Sequence, residues 1–209
     1  LFHGPSLQTL QTLAAACEAE AVFWNRRYEP AIEKRDTAIK SKLRQQGLHV
    51  ESFNGALLRE PWQVATKQGG PYKVFTPFWK SASAEWTPPP PREVEDGPHG
   101  VELDHLELAP ALGWDAGFWE RFTPGEAGAR AALDAFAESA VLRYADDRDR
   151  PDHHGTSRLS PHLHHGEIAP WRVATVLREA HPGGNQKVGA DVRQLWWREF
   201  GYHLLHHFP

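Results

Sequence analysis

The chain has 209 residues, room for one or two domains, and its 40% hydrophobic and 24% charged content is that of a soluble globular protein. A formal charge of −4 gives no whole-chain footprint for nucleic acid. A single cysteine, Cys17, rules out an internal disulfide and suits a reducing, cytoplasmic compartment, and no apolar run approaches the length of a membrane span. Residues 1–16 carry Gln and Thr throughout and lack a basic start, so they do not read as a secretory leader. Nine tryptophans are far above ordinary use, and the absence of methionine suggests a piece cut from something longer.

In chain order, residues 6–20 read as a helix with Leu7, Leu10, Leu13 and Ala14 on one face and Ser6 as its cap. Cys17 falls in that pattern as a core residue. Residues 21–25 form a short apolar run, as a buried parallel strand does. Residues 31–46 read as a second, strongly charged helix closed by Gly47, and 49–53 as a second strand. Alternating helix and strand indicate a doubly wound α/β unit. With only two strands in evidence, we expect the sheet to be truncated, its first strands preceding Leu1.

Residues 54–71 are loop-rich, and 81–110 read as a linker stiffened by Pro88 to Pro91. The aromatics of 114–122 are expected to dock that linker on a domain surface. From Thr123 onward the pattern is helical only: 126–144, 160–165, 170–180 and 191–208. The expected organisation is α/β then all-α. A truncated parallel-sheet domain spans 1–80, a linker 81–122, and the first half of a helical domain 123–209.

Two stretches carry chemistry. In the first, Gly155 precedes Thr156, Ser157, Arg158, Leu159, Ser160 and Pro161, a loop that turns into a helix. Gly155 offers backbone freedom, the hydroxyl residues are of the capping type, and Pro161 suits a first helical turn. Such a junction gathers N–H groups and hydroxyls where an anion, most often a phosphate, is held. No Gly-x-Gly-x-x-Gly fingerprint occurs. In the second, Gln194, Trp197, Arg198 and Gly201 share one face of a helix, offering an amide, a flat ring and a guanidinium to a base. Trp196 falls on the core side. Arg148 stands among Asp146, Asp147, Asp149, Arg150 and Asp152, as in a solvated loop of ion pairs. The sets His162, His164, His165 and His203, His206, His207 have helix spacing, but no carboxylate or cysteine completes a recognised metal motif.

Taken together, three segments resemble the DNA photolyase/cryptochrome flavoprotein family. They are Tyr144 with Arg148 and Asp149; the run from Thr156 through Pro161, His162, Leu163 to Gly166, Glu167, Ile168 and Pro170; and Gln194-Leu195-Trp196-Trp197-Arg198-Glu199-Phe200 followed by His203 to Pro209. Residues 73–79 resemble the family's segment leaving the light-harvesting domain. The wording suggests a class I-type deoxyribodipyrimidine photolyase. The resemblance implies that Tyr144, Thr156, Ser157, Arg158, Leu159, Ser160 and Arg198 help to hold FAD. It implies that Arg148, Gln194, Trp197, Arg198 and Gly201 meet UV-damaged DNA at a pyrimidine dimer.

The implied reaction is light-driven electron transfer, which needs no catalytic acid–base pair, nucleophile or metal. The lesion must leave the stack to be reached. The implied protein is a cytoplasmic monomer with no membrane partner. The chain by itself is expected to bind FAD poorly and to be inactive. Three departures stand out. Gln194 takes the place of a common Glu and is usual in the (6-4) branch. Asp191 stands where an aromatic commonly lies against the flavin. Ala31 and Ile32 replace positions that hold a folate in some members, so the antenna chromophore is open. The alternatives are a cryptochrome-type blue-light signalling protein, a (6-4) photolyase, or a helical scaffold that has lost its flavin.

Overall fold

The computed structural model describes residues 4–89, 113–114, 116–180 and 186–209. The chain opens with α1 (Ser6–Ala16), β1 (Ala21–Asn25), α2 (Pro30–Gln45) and β2 (His49–Phe53). The two strands pair in parallel, Val22 opposite Val50. α2 starts on Pro30, whose missing N–H costs nothing there, with Glu33 in its first turn and Lys42 and Arg44 in its last, each complementing the helix dipole. Gly47, at φ 89°, lets the chain turn out of α2 into β2.

α1 is shorter than its apolar pattern suggests. Pro5, not Ser6, occupies the capping position, without a side-chain hydrogen bond. The helix ends at Ala16, and Glu18 at φ 51° breaks the chain away toward β1. Cys17 therefore lies past the helix and is exposed rather than buried. Ile39, Leu43 and Val50 form the small core here, with Leu7, Leu10, Val22 and Trp24 packed against it. Only one face of the sheet is covered by these helices. On the other, Phe23 is 55% and Phe53 51% exposed, their rings 5.9 Å apart, so β1 is not the buried strand expected.

The larger core is helical. Its elements are α3 (Phe75–Ser83), α4 (Ala116–Trp119), α5 (Gly125–Ala135), α6 (Tyr144–Asp147), α7 (Ser160–His165), α8 (Pro170–Ala180) and α9 (Gln186–His207). The expected single helix over 126–144 is interrupted. α5 widens into a π-helical stretch at Phe136–Ala140 and tightens through a 3₁₀ turn at Val141–Arg143 before α6. That shift of register lets Phe136, Ala137, Ala140, Val141 and Tyr144 all turn inward. Phe78, Leu133, Leu159, Val173, Leu177, Trp196 and Phe200 complete the core.

The boundary expected at residue 80 falls inside α3, whose Phe78 and Ala82 are buried in this helical core together with Leu58 and Val64. Residues 90–112 of the expected linker lie outside the described residues. Of the aromatics after them, Phe122 stacks on His162 at 4.6 Å, whereas Trp114, Phe118 and Trp119 are largely exposed. Among the described residues, no helix is long and apolar enough to cross a membrane.

α9 ties the two parts together. The Oε2 atom of Glu199 accepts the Leu58 N–H at 2.8 Å and the Arg59 N–H at 3.1 Å. Arg198 donates to the Ala56 carbonyl at 2.6 Å. One turn on, His203 Nε2 accepts the Tyr72 N–H at 3.0 Å and its Nδ1–H donates to the Pro61 carbonyl at 3.3 Å. Tyr202 meets the buried Tyr28 ring edge-on at 5.8 Å.

Candidate functional site

A cleft of about 610 Å³ opens between α6, the loop before α7, α8 and α9. Tyr144, Thr156, Ser157, Arg158, Leu159, Ser160, Gln194 and Arg198 all line it, joined by Asp191, His164 and Tyr202. Residues 50 positions apart in sequence thus meet at one place.

The loop is shaped differently from the sequence expectation. Gly155 is not among the left-handed residues, so its role is close approach rather than backbone freedom. A Cβ there would lie 2.5 Å from Asp147 Cβ and 2.7 Å from that residue's carbonyl. Gly155→Ala should therefore force the loop off α6 and cost about 1–3 kcal/mol, as overpacking does. Urea denaturation checks this; an unchanged midpoint would mean that the loop moves freely.

Leu159 precedes α7 at the capping position, and no side-chain cap bond forms. Thr156, Ser157 and Ser160 do not serve as caps, and Pro161 takes the second helical position. Arg158 adopts φ 54° and its guanidinium sits 2.9 Å from His154 Nδ1. A non-glycine residue in that conformation is strained by about 1–3 kcal/mol and marks a place the surrounding structure holds fixed.

Arg198 is held from three sides. It donates to Ala56 and, at 3.5 Å, to the Leu163 carbonyl, lies 3.4 Å from Glu199, and stacks over Tyr202 at 5.0 Å. Glu199 is 2% exposed, and burial pushes its carboxyl up to about 8 despite two N–H donors and the neighbouring guanidinium. Asp191 is 7% exposed, and burial pushes its carboxyl up to about 6. Burial also raises the Tyr144 phenol, with the nearby Asp191 charge adding to it.

The helix face read from sequence divides in the structure. Gln194 and Arg198 face the cleft. Trp197, 48% exposed, turns toward α3 and stacks on Phe75 with ring centroids 3.7 Å apart. Phe75 is stacked in turn on Trp79, and the Arg193 guanidinium lies 4.3 Å over Trp79. The result is an aromatic ledge beside the cleft. Gly201 is exposed, with nothing within 4 Å of where a Cβ would be. Trp196 is buried against Trp86.

Arg148 is on the surface, 3.4 Å from Asp149, and does not line the cleft. The histidines have other duties. His162 bonds to Glu167 and His203 to Tyr72, and no group of three potential ligands stands close enough for a metal among the described residues. Phe75, Trp79, Arg193 and the clasp made by Glu199 escaped the sequence reading. The i, i+4 spacing of Phe75 and Trp79 was the one available signal.

The family model described as DNA photolyase matches residues 1–95. A deoxyribodipyrimidine photo-lyase of Agrobacterium fabrum is 40% identical over 219 residues, covering 100% of this chain and 46% of that protein. The chain belongs to the DNA photolyase family. The crystal structure of a bacterial class III photolyase from Agrobacterium tumefaciens superposes with a TM-score of 0.85 at 39% identity, covering 99% of this chain and 45% of that one. That structure is of class III, where the motifs suggested class I. Cryptochrome-1 of Arabidopsis thaliana is 29% identical over 98% of this chain and 32% of its own length. The chain spans about half the length of the photo-lyase it matches. Its small parallel sheet followed by helices is the N-terminal part of the photolyase fold.

Proposed function

We propose that this chain supplies the phosphate-facing wall of the FAD cleft, and the first part of the DNA ledge, of a light-dependent photolyase acting on cyclobutane pyrimidine dimers. The observation that carries this reading is the single cleft gathering Tyr144, 156–160, Gln194 and Arg198. Its residues fit a flavin dinucleotide. Its volume is that of a cofactor pocket, and Arg198 is a cation fixed in place beside uncommitted hydroxyls. Bound there, reduced FAD would supply the electron that splits the dimer.

The chain's own part is to bind and orient. Thr156 to Ser160 and Arg198 would take the phosphates, with Tyr144 closing the far wall. Trp197, one face on Phe75 and the other open, would stack on the flipped lesion, and Gln194 would hydrogen-bond its edge. Arg148 and Gly201 would lie along the DNA backbone. We place the protein, as a monomer, in the cytoplasm. The likeness to a cryptochrome supports a signalling alternative, and Gln194 supports a (6-4) alternative.

Two experiments separate these readings. FAD should bind the 209-residue chain weakly but saturably, and Arg198→Ala should abolish the binding; equal binding by both would sink the cleft assignment. In a chimaera, this chain replaces the matching segment of the Agrobacterium photo-lyase. It should carry flavin and repair cyclobutane dimers under blue light. Repair of (6-4) products only, or a flavin-loaded chimaera without repair, would favour one of the alternatives.

A further inference from the structure

Asp191 is buried in the wall of the cleft, yet it has no hydrogen-bond or ion-pair partner among the described residues. Its unpaired oxygens are not sealed in the core but remain within reach of solvent at the cleft. The titratable and charged groups lining the same cleft are Tyr144 on α6, Arg158 from the loop, His164 from α7, and Arg198 and Tyr202 on its own helix, with Arg148 just past α6 next to Tyr144; α8 contributes Val173. None of these bonds it. A carboxylate there would repel a phosphate, so the part of a ligand that it meets carries a donor and no negative charge.

Resting on the flavin reading above, we propose that Asp191 is a ligand-contacting residue. Its carboxyl accepts a hydrogen bond from a hydroxyl or ring N–H of the uncharged part of the dinucleotide, opposite the donors and cations that hold the phosphates. The cleft then has two poles: an anion side at 156–160 and Arg198, and a carboxyl side at Asp191, Gln194 and Tyr144.

The test titrates the 209-residue chain with FAD, riboflavin and ADP by fluorescence and calorimetry. Asp191→Leu should weaken FAD binding about tenfold, the size of one charge-assisted hydrogen bond. Asp191→Asn, which keeps an acceptor oxygen but no charge, should restore only part of it. Both variants should melt at or above the wild-type temperature, because a buried carboxyl is relieved. Wild-type affinity should rise between about pH 5 and 7 as the carboxyl ionises. The Asn variant should lack that component.

Loss toward riboflavin alone would put the donor on the flavin half, and toward ADP alone on the adenosine half; either supports the proposal. If Asp191→Leu binds FAD as tightly as wild type while Arg198→Ala still weakens it, the proposal fails and the flavin reading stands. If both variants melt well below wild type, Asp191 is structural and the proposal fails. If wild type binds none of the three probes, both fail together.

Discussion

Glu199→Ala should destabilise the chain by about 3–5 kcal/mol, chiefly the cost of leaving two buried N–H donors without their acceptor. Two effects add. The Leu58 and Arg59 N–H groups, now bonded to Oε2, would be left without an acceptor. Arg198 would lose the carboxyl oxygen 3.4 Å away. Glu199→Gln should cost much less, because the carboxamide oxygen still accepts both N–H bonds. The pH dependence has a definite sign. The carboxyl is raised from its ordinary 4.5 to about 8 in the folded chain, chiefly by burial. The folded state therefore holds a proton that the unfolded state releases. The stability this contributes is fully present below about 4.5 and is lost as pH rises through about 8.

His203, one turn along α9, works the other way. Burial, with His207 and His206 nearby, lowers it from 6.5, so its contribution is present above that value and is lost as pH falls through the lowered one. Protonation would take the lone pair that accepts the Tyr72 N–H. Urea denaturation from pH 4 to 9 should show the alkaline decline flattened in Glu199→Gln and the acid decline untouched. An alkaline limb of unchanged slope in that variant would show that Glu199 is ionised throughout.

Which parts of this molecule could be read from sequence follows from how local their causes are. β1, β2, α2 and α7 are set by period, proline and glycine, and their limits came out within a residue or so. The residues of the cleft were legible as a set because short motifs name them, and one cleft gathers Tyr144, 156–160, Gln194 and Arg198. What failed depended on neighbours distant in sequence. Gly155 reads from sequence as a source of backbone freedom, whereas its reason is Asp147 pressing on it. The π-helical shift at Phe136–Ala140 leaves the apolar periodicity looking like one continuous helix. Trp197 leaves the face it was expected to share with Gln194 and Arg198, because its partner Phe75 lies more than a hundred residues earlier, which no helical wheel can show. Glu199 passed as one letter of a motif, although it joins the helical part to the turn at Leu58.

The adjacent tryptophans of α9 should behave oppositely when truncated. Trp196 is 2% exposed and meets Trp86 edge-on at 5.8 Å, with Trp86 itself bonded to the Leu58 carbonyl. Trp196→Ala empties the centre of the helical core, so the expected loss is about 3–5 kcal/mol, read as a lower urea midpoint. Trp197 is about half in water, and its stack on Phe75 is a near-parallel aromatic pair, a contact worth about 0.5–1.5 kcal/mol. Trp197→Ala should therefore melt close to wild type. In the photo-lyase chimaera, its effect should fall on damaged DNA. A duplex with a cyclobutane dimer should lose about 1–3 kcal/mol of binding, the worth of one aromatic–base stack. Undamaged duplex should be nearly unaffected, because its binding comes from phosphate contacts that this ring does not make. Phe75→Leu provides the control. It keeps the ledge apolar but removes the platform beneath Trp197, and should weaken lesion binding by less than Trp197→Ala does. If Trp197→Ala lowers the affinity for damaged and undamaged duplex equally, or if Trp196→Ala leaves the urea midpoint in place, the division of α9 into a buried tryptophan and a lesion-facing one is wrong.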